Sequence, residues 1–312
     1  MARIGYNSTS PSDFKKRVRE LMEYAKEICD CKRAMLEEYM DIGLYPYSRF
    51  YLQSVKDAMG EYFKNHFSTI GLNGMNEACL NLLGKDIASD EGNAFAIDIM
   101  EFMNKVIRIF QEETGTLWNL EASPAEGTSY RFARLDKKLY PSIIAQGNKE
   151  PYYTNSTQLP VCCTDDIFEA IEKQEKLQTL YTGGTVLHGF IGEKIDDIET
   201  CKLFIRKIME NTAIPYITVT PTFSICNDHG YLSGEQFNCP ICGNEAEVWT
   251  RVVGFHRPVQ SWNKGKKEEY NDRKEFSVSV SLGNKACSNA PELVKKAEDS
   301  EVVAETSNME IA

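Results

Sequence analysis

Four residues constrain this chain more than any others: Cys226, His229, Cys239 and Cys242. They fall as Cys-x2-His and Cys-x2-Cys, with nine residues between the pairs. A two-residue spacer spans a tight turn, so both members of a pair can point at one centre. Gly230 and Gly243 directly follow the pairs, as such turns require. Three thiolates and an imidazole suit zinc, which fills all four tetrahedral positions in structural sites. The spacing therefore predicts a small zinc ribbon over residues 225–246, with a structural role. The competing reading is four residues met by chance near a turn.

The remaining cysteines matter because the chain has ten. Residues 1–6 lack the apolar core of a secretory signal. Reduced thiols and a metal site therefore fit better than a disulfide framework. Cys29, Cys31, Cys79 and Cys201 fall in helical patterns. The neighbours Cys162 and Cys163 are not expected to bridge, since that geometry strains the peptide. At 312 residues, with 42% hydrophobic and 26% charged residues, the composition is that of a soluble globular protein with a sizeable core. No apolar run is long enough to cross a bilayer, and a cytoplasmic protein is expected. A net charge of -11 argues against a general nucleic-acid surface. Residues 251–274 are locally basic, with seven Lys or Arg against three Asp or Glu. That segment is either a solvated helix face or a patch facing phosphates or an acidic partner.

Ahead of the cysteines, helical and strand-like patterns alternate, as in an α/β fold. Ser10-Pro11-Ser12-Asp13 starts a long amphipathic helix to about residue 40. A second helix is expected over 49–65, across Gly60. Residues 67–77 are either a tight turn or a backbone brought close to a ligand, and lead into a short helix ending at Gly84. Ser89 caps another long helix that ends at Gly115. Residues 116–122 read as a strand feeding a Gly/Ser/Thr turn, where α/β folds place phosphates or polar substrates. Then come a helix over 165–174, a strand over 177–181, a helix over 196–211 and a strand over 214–220. Residues 277–312, with Cys287, read as a disordered acidic tail.

Beyond the cysteines lies Arg251-Val252-Val253-Gly254-Phe255-His256-Arg257-Pro258. Read alone, Gly254 is either a hairpin turn glycine or a backbone radical site. Only glycine lets its Cα flatten without a crowding Cβ, so that an unpaired electron spreads over the adjoining amide and carbonyl. This stretch, with Trp262-Asn263-Lys264-Gly265-Lys266, resembles the C-terminal end of the anaerobic (class III) ribonucleoside-triphosphate reductases. The resemblance runs to about Phe276. It includes His66-Phe67-Ser68-Thr69-Ile70-Gly71-Leu72-Asn73-Gly74-Met75-Asn76-Glu77, Pro124-Ala125-Glu126-Gly127-Thr128-Ser129, Tyr152-Tyr153-Thr154-Asn155-Ser156-Thr157 and Tyr181-Thr182-Gly183-Gly184-Thr185. Phe255 stands where the family usually has Tyr.

The resemblance implies the C-terminal part of a ten-stranded α/β barrel over residues 1–224, a zinc ribbon over 225–246 and a radical loop with its helix over 247–276. It implies a glycyl radical on Gly254, installed by a radical-SAM activating enzyme that uses S-adenosylmethionine and a 4Fe-4S cluster. That radical oxidises a finger-loop cysteine to a thiyl, which opens reduction of a ribonucleoside triphosphate. Cys226, His229, Cys239 and Cys242 carry over as zinc ligands, although the family also has a four-cysteine version. The finger-loop cysteine and the nucleotide-sensing domain are expected in a missing N-terminal reductase part, so the chain alone should not reduce ribonucleotides. A homodimer is a family expectation. Thr182, Gly183, Gly184 and Thr185, with Asn155, Ser156 and Glu126, are candidates for substrate contact. Each loop is equally a strand-end turn, and Glu126 equally a helix-capping carboxylate. Two further readings stay open: a radical-domain partner, or a non-catalytic zinc-ribbon interaction module.

Overall fold

In the computed structural model, which describes residues 1–192 and 194–283, capping residues fix the ends of the long helices. A short helix, α1 (Ala2–Asn7), precedes α2 (Pro11–Asp41), whose Ser10 cap accepts from the Asp13 N–H at 3.2 Å. The next helix, α3, runs Pro46–Met59 rather than over 49–65. Pro46 opens it, and Gly60, at φ 84°, closes it. Past that point the Tyr62 and Phe63 N–H groups donate to the Glu37 carboxylate at 3.0 and 2.7 Å, instead of continuing the helix.

Residues 67–72 form strand β1 (Phe67–Leu72), followed by α4 (Met75–Leu83) and α5 (Asp90–Thr114). Strand β2 (Leu117–Ala122) lies parallel to β1 in the register Phe67↔Leu117 to Leu72↔Ala122, and α6 (Glu126–Leu139) follows it. Strand alternation decides the two faces of this pair. Ile70, Leu72, Trp118 and Leu120 pack with Phe14 and Val18 of α2 and Ile99, Met103 and Phe110 of α5. Thr69, Gly71, Asn119 and Glu121 line the other face.

The helix α7 (Ile167–Thr179) extends past the expected end at Gln174. Residues 177–181 are therefore not a strand. Turn bonds from Leu180 N–H to Leu177 C=O and from Tyr181 N–H to Gln178 C=O carry the helix out. Leu177 and Tyr181, four residues apart, enter the same core as β1 and β2, which is helical rather than strand spacing. Strand β3 (Leu187–Ile191), helix α8 (Ile198–Asn211) and strand β4 (Ile217–Pro221) come next, with β3 and β4 parallel. Ile167, Phe168, Ile171, Leu187, Phe204, Ile208 and Ile214 form their core.

Four short strands then build an antiparallel sheet of order β6-β5-β7-β8: β5 (Phe223–Cys226), β6 (Gly230–Ser233), β7 (Glu247–Arg251) and β8 (His256–Pro258). Helix α9 (Lys264–Asp272) follows. A last helix, α10 (Val278–Gly283), occupies the start of the expected tail. Val278 and Leu282 pack on the β3–β4 core, and Ser281 Oγ accepts from the Ile167 N–H at 3.3 Å. The rest of the tail, with Cys287, lies outside the described residues.

The fold is thus mixed α/β. The parallel strands among the described residues form two separate pairs, and no closed ring is present among them. Two compact units result. One comprises Met1–Pro160, Lys176–Val186 and Asn263–Glu269; the other comprises Val161–Glu175, Leu187–Trp262 and the chain from Tyr270. Among the described residues, no helix is long and apolar enough to cross a membrane.

Candidate functional site

The β5–β6 hairpin places Cys226 and His229 across its turn, and Cys239 and Cys242 come from the following loop. Cys226 Sγ lies 3.7 Å from His229 Nδ1 and 3.7 Å from Cys242 Sγ, and Cys239 Sγ lies 3.6 Å from His229 Nδ1. All four donor atoms fall within 4.8 Å of one another. Zinc bonds of about 2.3 Å to sulfur and about 2.0 Å to nitrogen, set tetrahedrally, give edges of about 3.8 Å between sulfurs and about 3.5 Å between sulfur and nitrogen. These three spacings match those edges. The backbone N–H groups of Cys242 and then Ile241, with the neighbouring thiols, bring the Cys239 thiol down to about 6 and favour its thiolate. Asn244 Nδ2 donates to Asp228 Oδ2 at 3.0 Å, tying the two turns together. The residues fit a four-ligand zinc site.

Gly254 lies in the loop between the last two strands of the same sheet. Strand β7 pairs with β5, Ser224 facing Val248, and with β8, Arg251 facing His256. The residues expected as ribbon and as radical loop therefore share one set of backbone hydrogen bonds. The loop over 252–255 is closed by the Val252 N–H donating to the Phe255 C=O at 3.0 Å. Val252 and Val253 are buried with Val248, Val259, Trp262 and Tyr270. Gly254 is exposed at the tip, and Phe255 is 67% exposed. Arg251 donates from Nη1 to the Gly254 carbonyl at 2.7 Å and from Nε to Thr220 Oγ1 at 3.1 Å. Burial first, then Arg251, lowers the pKa of His256.

The other candidates gather in the first unit, at the carboxyl ends of β1 and β2. Residues 182–184 run along β2. Leu120 N–H donates to Thr182 Oγ1 at 2.9 Å, Gly183 N–H to Leu120 C=O at 2.8 Å, and Ala122 N–H to Gly184 C=O at 2.9 Å. Thr185 Oγ1 donates to the side-chain amide oxygen Oε1 of Gln178. The loop follows a helix rather than the strand expected before it, and the Gly183 amide is engaged within the fold. Ser156, at φ 47°, donates to the Ser123 C=O at 3.2 Å and accepts from the Met75 N–H at 3.1 Å. The buried Asn155 Oδ1 has no hydrogen-bond partner among the described residues, and neither do Asn119 Oδ1 and the side-chain amide of Asn73. Glu126 is the first residue of α6, with Ala125 at the N-cap position.

A family model described as anaerobic ribonucleoside-triphosphate reductase matches residues 1–276. The chain belongs to the anaerobic ribonucleoside-triphosphate reductase family. This family uses a glycyl radical. The reductase of Haemophilus influenzae is 24% identical over 294 residues, covering 88% of this chain and 41% of that protein. That of Escherichia coli K12 is 26% identical over 234 residues, covering 70% and 32%. That of Enterobacteria phage T4 is 32% identical over 131 residues, covering 42% and 20%. The chain thus spans at most about two fifths of these relatives' length. The fold is also that of the Thermotoga maritima anaerobic ribonucleotide reductase solved with dATP and CTP, at TM-score 0.66 and 23% identity, covering 86% of this chain and 43% of that one.

Two residues in quoted motifs had no role assigned from sequence. Arg251 reaches the Gly254 carbonyl, a contact that a spacing pattern does not encode. Glu77 is fully buried in the first turn of α4. It accepts from the Thr154 N–H at 3.0 Å, Thr154 Oγ1 at 2.7 Å and Asn76 Nδ2 at 2.9 Å. Burial raises its pKa, and these donors act in the opposite direction. Glu77 thereby anchors the segment that carries Asn155 and Ser156. Its only sequence signal was a carboxylate inside an apolar stretch.

Proposed function

We propose that this chain is the radical-bearing portion of an anaerobic ribonucleoside-triphosphate reductase, with the stored radical on Gly254. One observation carries the reading: neither backbone nor space demands a glycine there. Its φ lies outside the left-handed region, and beyond Val253 and Phe255 no heavy atom stands within 4 Å of where a Cβ would be. By contrast Gly230 and Gly243, beside the ribbon cysteines, have φ of 70° and 74°. A glycine without a structural reason, at an exposed tip of the sheet whose opposite end carries the metal-ligand cluster, suits a residue kept for chemistry at its α-carbon. Zinc held by Cys226, His229, Cys239 and Cys242 would contribute structure, since a filled tetrahedral site leaves no open position.

In this reading a radical-SAM activating enzyme, with S-adenosylmethionine and a 4Fe-4S cluster, would supply the hydrogen-abstracting chemistry. Gly254 would give up one hydrogen atom from its Cα and keep the unpaired electron there. The thiyl cysteine and the rest of the nucleotide site would be supplied by the kind of reductase sequence that the relatives carry outside the matched stretch. Asn155, Ser156, Glu126 and the loop over 182–185 supply part of the ribonucleoside triphosphate site. Their position at the carboxyl ends of a parallel pair supports this, as ligands of open α/β sheets bind there.

The test is anaerobic incubation with the activating enzyme, S-adenosylmethionine and a reductant. A glycine-centred EPR doublet is expected, absent in Gly254→Ala. Exposing the activated chain to oxygen should cut it at Gly254. A silent spectrum, or an uncut chain after a doublet was recorded, would reject the assignment.

A further inference from the structure

We infer that Arg251 is a positioning residue for the radical, holding the Gly254 carbonyl and stabilising spin spread onto it. This rests on the reading of Gly254 as the radical site. The side chain is anchored before it reaches the loop. Its Nε donates to Thr220 Oγ1 at 3.1 Å, and Thr220 is a buried β4 residue only 1% exposed. Its backbone is paired with His256 in the β7–β8 ladder, and its carbonyl accepts from Arg273 Nη2 at 3.5 Å. Arg273 itself lies over the Phe190 ring, 3.6 Å from its centre. From that mount Nη1 meets the Gly254 carbonyl at 2.7 Å, the short distance of a charge-assisted hydrogen bond.

An α-carbon radical on glycine draws stability from two sides. The amide nitrogen donates electron density, and the carbonyl withdraws it. A cation bonded to the carbonyl oxygen strengthens the withdrawing half. It also fixes the plane of the peptide through which the spin spreads. No bond forms or breaks at Arg251, and it exchanges no electron. Its effect is on how the spin is shared and how long it lasts.

The experiment compares the activated full chain with Arg251→Gln, Arg251→Lys and Thr220→Val, each labelled with carbonyl-13C glycine, and reads EPR couplings and anaerobic decay. Arg251→Gln should shift the α-proton and carbonyl-13C couplings and quicken decay roughly tenfold, the scale of a lost charged hydrogen bond. Arg251→Lys should recover part of both, and Thr220→Val should fall between wild type and Arg251→Gln. A residue that merely braces the loop would change radical yield and leave the couplings alone, and that result overturns the inference. Zinc content checks that the sheet remains folded. If Arg251→Gln loses zinc, Thr220→Val decides: wild-type couplings and decay there reject the role. A wild-type chain without any doublet refutes the Gly254 reading itself, whatever the variants do.

Discussion

The molecule carries two glycine loops of opposite character. In the loop over 182–185, Gly183 is hemmed in. A Cβ would stand 3.0 Å from Asn119 Nδ2 and 3.1 Å from the Leu120 carbonyl oxygen. Its amide is bonded to β2, and the flanking Tyr181 sits in a helical core. In the loop over 252–255, a Cβ on Gly254 would meet nothing within 4 Å beyond the two adjoining residues. The first glycine is explained by the fold. The second is held in place by neighbours that do not need it to be glycine. Their supports differ too: the first loop rests on a large apolar core, the second on a small sheet beside three cysteines and a histidine.

The difference in support can be broken most forcefully by removing the metal ligands. Structural zinc contributes on the order of 10 kcal/mol to small domains. Cys239→Ser should abolish zinc binding and strip hydrogen-exchange protection from β5, β6 and β7. Protection of β1 and β2 should persist, since their core draws on α2 and α5. Undiminished protection of β7 in a metal-free chain would show that the sheet does not depend on the ion.

The next largest effect tests the first unit. Lys266, wholly buried, pairs with Glu269 at 2.6 Å. Lys266→Met leaves that carboxylate buried without its cation, a loss of about 3–5 kcal/mol. Urea unfolding should show it as a lower midpoint at unchanged slope. A shift below the scatter of replicate unfolding curves would mean that Glu269 finds another donor. Smaller again is Gly183→Ala. Asn119 can yield, but the Leu120 carbonyl is strand backbone and cannot. Overpacking of this kind costs about 1–3 kcal/mol, and an alanine variant as stable as wild type would erase the contrast between the two loops.

What sequence made legible follows the same divide. The zinc quartet was readable because its ligands lie within two short turns, where spacing determines direction. Helix starts at Ser10 and Ser89 were readable for the same reason. The end of α3 was not. Nothing in residues 60–65 announces that Glu37, on another helix, takes the Tyr62 and Phe63 amides. The run over 177–181 looked like a strand because a short apolar stretch has no decisive period, and the core it enters is assembled from distant segments. The pairing of β5 with β7 joins residues more than twenty apart, so two motifs read in succession proved to share one sheet. Arg251 stood in plain view within a quoted motif. Its reach to Gly254 depends on the hairpin bend and on Thr220 of another strand.

Gly254→Ala carries the smallest expected effect on stability and the sharpest meaning. The backbone φ there lies outside the left-handed region, and the added methyl meets no atom beyond the two adjoining residues. Alanine also narrows the unfolded chain's freedom, so the variant should equal wild type or gain about 0.4–1 kcal/mol. Zinc content and unfolding midpoint should therefore hold while the radical signal disappears. A clear destabilisation would reveal a packing role for this glycine, and make it resemble Gly183 after all. Stability kept and the doublet lost would separate chemistry from fold at a single α-carbon, which no substitution at the crowded Gly183 could do.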